Sequence, residues 1–439
     1  MLRYYLELAV RSCRRSKALT ALVVMLMGFG VAACTLSYAV LRVAASDPIP
    51  AKSSRLFVPQ VDNFGPAHNG NGQPPDQLSY TDAMALLHAR RALRQTLVYP
   101  TNFGVVPADP GSPPFPQAGE AVTADFFEMF DVPFRYGHGW DDAADQGRVP
   151  VAVITGDLNR KLFGDIDSTG RTLTLDGHDY RIAGVLGDFD PLPRYIDIAS
   201  TWNGFGKLPQ VYVPFARALE QRKPPLTDYC SSTSAAPYVS DWNGFLASEC
   251  VWIDGWVELP DAASAAGYQR FLVNYATEQQ RLGRFAWPAN VRLRNLAQVL
   301  VDHRAVPQGS KLSAGVSLGF LIVCLVNVVG LLLARFSRRG LEIGVRRGQG
   351  APRRQIVRQF LVEAALIGAA GGVLGVLLTA LGMLGLDRVF VPEIARLARL
   401  DAFLMSLTLL AAVAATLAAA LWPTWRAAQV RPAWQLAQG

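Results

Sequence analysis

The chain has 439 residues, of which 51% are hydrophobic and only 18% charged. That balance excludes a disordered chain and allows roughly two to four domains. The formal net charge of +7 is no nucleic-acid footprint, because the cations cluster in short segments beside apolar runs. Four stretches carry no charge at all: Ala18–Leu41, Leu312–Ala334, Ala364–Leu386 and Ala402–Trp425. Each exceeds the ~20 apolar residues that a bilayer crossing requires. The sequence predicts an α-helical membrane protein with four transmembrane helices and a large α+β domain between helices 1 and 2.

In chain order, residues 1–17 read as an amphipathic interfacial helix. Leu2, Tyr5, Leu6, Ala9, Val10 and Cys13 recur at helical spacing, with Arg3, Glu7, Arg11 and Arg14 elsewhere on the wheel. Transmembrane helix 1 (18–41) is longer than the roughly 7–15-residue core of a signal peptide, so it is read as a retained anchor. The external domain follows at 42–311. Strands are expected at Arg55–Val61, Val149–Thr155, Val251–Leu259 and Ala289–Leu296. A hairpin is expected at Thr172–Leu175 and Tyr180–Val185, turning at Asp176-Gly177. Helices are expected at Ser79–Leu97, Ala124–Phe130, Asp157–Phe163 (capped by Asp157) and Asp261–Arg281, and loops at Phe64–Pro75 and Lys223–Ser248; Pro107–Pro116 is a Pro-rich stretch, and Pro191–Val213 leads to another short strand. Segments flanking helices 1 and 2 should build one subdomain, with another inserted between them.

Helix 2 (312–334) leads into an Arg-rich loop (335–358), helix 3 (359–386), a short outer loop (387–401), helix 4 (402–425) and a tail (426–439). In helix 3, Gly368 and Gly372, and Gly371 and Gly375, are four apart, a spacing that lets helix backbones approach. Charge sets the orientation. Five basic residues precede helix 1 against Glu7, and the 335–358 loop holds eight Arg against Glu342. The external domain carries 24 basic and 29 acidic residues. Both termini and the Arg-rich loop are therefore expected in the cytoplasm. Cys13, Cys34 and Cys324 lie at the inner edge or within helices. Cys230 and Cys250 form an even pair in an exported, oxidising compartment, which suggests a disulfide; the alternative is two unpaired small residues.

The chain has no G-x-x-x-x-G-K-[ST] phosphate loop, no G-x-S-x-G elbow, no H-E-x-x-H and no metal-spaced Cys/His set. It is expected not to be an enzyme by itself and to hold no cofactor or metal. His68, His88, His138, His178 and His303 are scattered and read as surface residues. Glu363, one turn inside helix 3, reads as reaching the interface or pairing with the Arg cluster rather than as part of an ion or proton path. Ser337–Arg347 can form a short helix, with Leu341 and Val345 four apart on one face and Gly344 and Gly348 beside them. Pro352 suits the first turn of the next helix.

Several segments carry a resemblance. Met1–Ala33, Val151–Phe189 and Leu341–Gly375 are similar to segments of MacB/FtsX-type ABC transporter permeases. In the last of these, Glu342-Ile343-Gly344, Arg346-Arg347, Gly350, Arg353-Arg354 and Glu363 take the family's places. The ending Trp422–Leu436, with Pro423, Arg426-Ala427-Ala428 and Pro432, resembles the family's C-terminus. The resemblance implies a permease in the bacterial inner membrane with a large α+β periplasmic domain between helices 1 and 2, paired with itself or with a sister permease. It also implies cytoplasmic ABC ATPase subunits, carrying ATP and magnesium, that dock at Leu341, Glu342, Ile343, Gly344, Val345, Arg346, Arg347 and Gly350. Their motion would pass to the periplasmic domain (mechanotransmission), to export a peptide, antibiotic or other amphiphile through a periplasmic adaptor. Within the same family, LolC/LolE-like lipoprotein release or FtsX-like regulation of a cell-wall hydrolase are the alternatives. The chain departs from the family in lacking the ATPase of MacB proper. It also has Gly348-Gln349-Gly350-Ala351-Pro352 where an Ala-Leu-Gly-Ala-type turn is usual, and Trp434-Gln435 in its tail.

Overall fold

The computed structural model describes residues 2–44, 46–66, 72–109, 111–201, 208–230, 241–303, 308–339, 342–343, 345–346, 349–385 and 401–428. They form two units, 1–45 with 306–439, and 46–305.

The first unit is helical. A surface helix, Leu2–Arg15, precedes four helices long and apolar enough to cross a membrane: Lys17–Ala44, Gln308–Ser337, Arg353–Met383 and Ala402–Ala428, here the first to fourth spans. The third span is the hub. It packs on the fourth and the first, and the surface helix rests on it. Its glycines explain how. A Cβ on Gly368 or Gly372 would lie 3.0 Å from Val413 Cα or 2.8 Å from Leu409 Cδ1, both in the fourth span. A Cβ on Gly371 would meet Met27 Cβ of the first span at 2.9 Å, and Gly375 backs onto the Gly28 carbonyl. The two small-residue pairs thus serve two different neighbours. Val23, Met27, Val31, Val328, Leu332, Phe360, Ile367 and Ala412 fill the space between the helices.

The second unit is a mixed sheet with short helices. Its strands are β1 Leu56–Val61, β2 Leu78–Ser79, β3 Arg94–Val106, β4 Phe115–Val122, β5 Phe134–Gly137, β6 Val151–Ile154, β7 Thr172–Leu175, β8 His178–Leu186, β9 Val211–Pro214, β10 Val251–Glu258 and β11 Val291–Asn295. The order is β11-β1-β10-β3-β4-β9-β6-β8-β5, with β2 on β10 and β7 on β3 and β8. β4–β9 and β6–β8 are parallel, and the other pairs antiparallel. β1, β10 and β11, from the two ends of the domain, lie side by side, with the intervening chain extending the sheet.

The structure corrects several local expectations. The helix that begins after Ser79 ends at Ala89, where Arg90 turns left-handed (φ 46°). The run expected to continue it starts β3 instead. Thr155, not Asp157, caps the helix Gly156–Phe163, accepting from the Leu158 N–H. The loop 223–248 contains a helix, Trp242–Ala247. Strands β3 and β4 were not expected, because Pro100, Gly104, Pro116 and Gly119 interrupt their alternation, nor was β5, which is only four residues long. Gly119 is required there. A Cβ would lie 2.6 Å from the Phe103 ring and 2.7 Å from the Val211 carbonyl.

Candidate coupling site

Glu363 lies in the third span with its side chain 1% exposed. A carboxylate withdrawn from water persists only when paired and hydrogen-bonded, and the sequence brings three elements to it. Arg335, in the last turn of the second span, reaches Glu363 Oε1 at 2.6 Å with Nη2. Arg339 donates to Oε2 at 3.1 Å. Ser12, on the buried side of the surface helix, donates to Oε1 at 2.6 Å. Arg339 also donates to Ser12 Oγ. Arg335 contacts Ser12 Oγ at 3.1 Å and Thr20 Oγ1 of the first span at 2.8 Å. One carboxylate thus ties the surface helix and two spans to the root of the Arg-rich loop. The pairing of Glu363 with the Arg cluster was one of the two readings that the sequence left open. Ser12 and Thr20 were not legible there, since an isolated hydroxyl in a helix gives no signal of a distant partner.

Beyond Arg339, Glu342, Ile343, Val345 and Arg346 are helical. Ile343 is buried with Phe336, Ile356 and Phe360, and the two phenylalanine rings are 4.2 Å apart. Val345 points away and is 45% exposed. Arg346 bonds Glu342 at 2.9 Å and Gln359 Oε1 at 2.8 Å, clipping the segment to the third span. Gly350 turns with φ 92°, a conformation that favours glycine, and Pro352 precedes the third span as its N-cap. The space under the segment, between Ile343 and Phe360, is ≈ 10 Å³, enough for about one water. Of the expected coupling residues, Leu341, Gly344 and Arg347 lie outside the described residues.

Residues 20–277 match the family model of the MacB-like periplasmic core domain, and residues 314–432 that of the FtsX-like permease C-terminal domain. The chain belongs to the MacB/FtsX-type family of ABC transporter permeases. These are permease-type transport components, and with four membrane-spanning helices the chain is a bacterial inner-membrane protein. It is 24% identical over 385 residues to the macrolide export ATP-binding/permease protein MacB of Escherichia coli O157:H7, covering 86% of this chain and 52% of that one. It is 24% identical over 254 residues to the pyoverdine export ATP-binding/permease protein PvdT of Pseudomonas syringae pv. tomato, covering 58% and 33%. The chain thus spans between a third and about half the length of these curated relatives. The periplasmic region of MacB from Actinobacillus actinomycetemcomitans covers 58% of this chain and 95% of its own, with 12% identity and a TM-score of 0.37. The extracellular domain of the transporter YknZ from Gram-positive bacteria covers 55% and 100%, at 10% identity and 0.34.

Within the MacB-like core domain, Cys230 and Cys250 are disulfide-bonded. A buried ionic cluster was not expected. Arg194 binds Glu120 at 3.2 Å and Asp197 Oδ1 at 2.6 Å, and Ser200 donates to Asp254. Burial, then the nearby Asp197 carboxylate, pushes the Glu120 carboxyl well up, and burial does the same to Asp254. Glu120, Asp197, Ser200 and Asp254 are buried, and the 194–200 segment bonds both β4 and β10. A cleft of ≈ 480 Å³ runs along the helix Tyr80–Ala89. On its wall Asp145 is pushed up to about 6 by burial, against the lowering effect of the Ala216 N–H. A wider hollow of ≈ 890 Å³ is lined by Phe127, Phe134 and Trp140. His303 departs from the surface reading: its side chain is 6% exposed and faces Asp76 at 3.5 Å. His88, His138 and His178 are exposed, and His68 lies outside the described residues.

Proposed function

We propose that this chain is the permease subunit of an exporter in which separate ATPase subunits, carrying ATP and magnesium, dock on the segment from Leu341 to Gly350. Their motion passes to the MacB-like core domain without a conduit between the spans. The observation that supports this most is the Glu363 knot. A segment that serves only as a topology signal needs no buried carboxylate at its root. A segment that receives force needs to be fastened to the helices that must move. Val345 supplies an outward apolar contact and Ile343 an inward one, the division a docked helix requires. In this reading both termini and the segment are cytoplasmic, in keeping with their arginine excess. The permease pairs with a second copy or a sister permease, and the core domain hands a peptide, antibiotic or other amphiphile to a periplasmic adaptor.

The test is capture of the cognate ATPase subunit, with transport measured alongside. Val345→Asp should insert and fold normally yet lose the ATPase or its stimulation by transport. Charge reversal at Arg338 alone should leave capture intact. If the Val345→Asp variant holds its ATPase and transports at the parental rate, the docking assignment is wrong.

A further inference from the structure

The surface helix Leu2–Arg15 presents more than the knot uses. Ala9 and Ser12 are buried against the bundle. On the adjoining flank Leu6 and Val10, four apart, are 40% and 39% exposed. Arg11, Arg14 and Arg15, with Lys17 at the start of the first span, are also exposed, and none has a carboxylate partner among the described residues. At the same end of the bundle Arg338, Arg353, Arg354 and Arg358 are exposed and likewise unpaired. The acids there are already engaged. Glu342 pairs with Arg346, Glu363 is enclosed by Arg335 and Arg339, and Glu7 has a partner of its own.

We propose that this surface docks on anionic phospholipid headgroups, and that the lipid contact sets the position of the coupling segment through Ser12. An apolar flank beside unpaired cations, at the foot of a span, fits the boundary between headgroups and acyl chains. An acidic protein surface would satisfy the arginines but would leave Leu6 and Val10 in water. Ser12 follows Arg11 directly and lies within one turn of Arg15. Any shift of the helix toward or away from the headgroups therefore moves the hydroxyl held by Glu363 and Arg339, and Arg339 roots the segment. The transmission half of the proposal rests on the coupling reading above, whereas the lipid half does not.

The test uses the full chain without any ATPase, in nanodiscs of phosphatidylcholine with or without phosphatidylglycerol. The first readout is the lipid retained on the protein by native mass spectrometry. The second is an environment-sensitive fluorophore on Gln349→Cys, in a background with Cys13, Cys34 and Cys324 replaced by Ser. The parent should retain phosphatidylglycerol over phosphatidylcholine about fivefold, the effect of one cation at an anionic surface, and its label should shift with lipid charge. Salt near 1 M, where the Debye length falls to about 3 Å, should remove the preference without any substitution. Arg11→Gln/Arg14→Gln/Arg15→Gln/Lys17→Gln should lose both responses. Ser12→Ala should keep the lipid preference and lose the label shift. A salt-insensitive preference, or a parental preference in the quadruple variant, overturns the docking surface. A parental label shift in Ser12→Ala overturns the transmission. Neither result touches ATPase capture by the Val345 variant, so failure here and failure of the docking assignment are separable.

Discussion

Replacing Glu363 by Gln removes the negative charge facing two guanidinium groups while keeping the shape of the side chain. Arg335 is 2% exposed at its side chain and cannot turn to water. Breaking a buried pair by removing one partner costs about 3–5 kcal/mol. The amide oxygen still accepts one bond, which recovers about 1 kcal/mol. At ~2–4 °C per kcal/mol for a unit of this size, the membrane unit should melt on the order of 10 °C lower. The cysteines give the assay its selectivity. Cys13, Cys34 and Cys324 are free and all lie in the membrane unit, whereas Cys230 and Cys250 are bonded to each other. A thiol-reactive dye on the heated, detergent-solubilised chain therefore reports the membrane unit alone. A double variant, Glu363→Gln with Arg335→Gln, should lose less than the sum of the single variants, because the second change removes the stranded charge. A Glu363→Gln melt within about 1 °C of the parent, or strict additivity of the pair, would refute the reasoning.

Gly372→Ala places a Cβ 3.1 Å from the Leu409 Cα, so it should cost about 1–3 kcal/mol by overpacking in the same thiol-dye melt. Gly319→Ala, with open space around it, should be silent. Cys230→Ser opens a loop with a sequence separation of 20; it should destabilise the core domain by about 3 kcal/mol in the chain-entropy model, read by tryptophan fluorescence in a urea titration. The raised pKa of Asp145 means that the folded domain binds its proton more tightly than the unfolded chain. Its stabilising contribution is full below about pH 4 and is lost as pH rises through about 6, up to roughly 3 kcal/mol. Asp145→Asn should flatten the core-domain stability profile between those values, and an unchanged profile would show that the carboxyl does not titrate there.

The spans were legible because a bilayer demands long charge-free runs, and the glycine pairs because close helix approach demands small residues at fixed spacing. The hairpin at Asp176-Gly177 and the strand at Val251 carried alternation or turn chemistry of their own. β3 and β4 did not. Their prolines and glycines are tolerated because cross-strand packing, such as Phe103 over Gly119, supplies what local pattern lacks. Arg90 shows the same limit at a helix end, since a left-handed arginine offers no glycine to read. In the coupling site the Glu363 partners on the Arg-rich side were one of the two readings that the sequence left open. Ser12 depends on a hydrogen bond spanning 351 residues, and no periodicity records that.

The pairing of β1 with β11 has a mechanical consequence. Phe57 stands opposite Asn295 and Val61 opposite Val291, so the chain enters the core domain and leaves it at the same end of one antiparallel pair. A load that separates those two ends peels the ladder one hydrogen bond at a time, like a zipper. A load that moves both ends together strains none of those bonds. The domain is stiff toward a common pull and soft toward a differential one, so whatever grips it must displace its two strands in step or tear that edge of the sheet open.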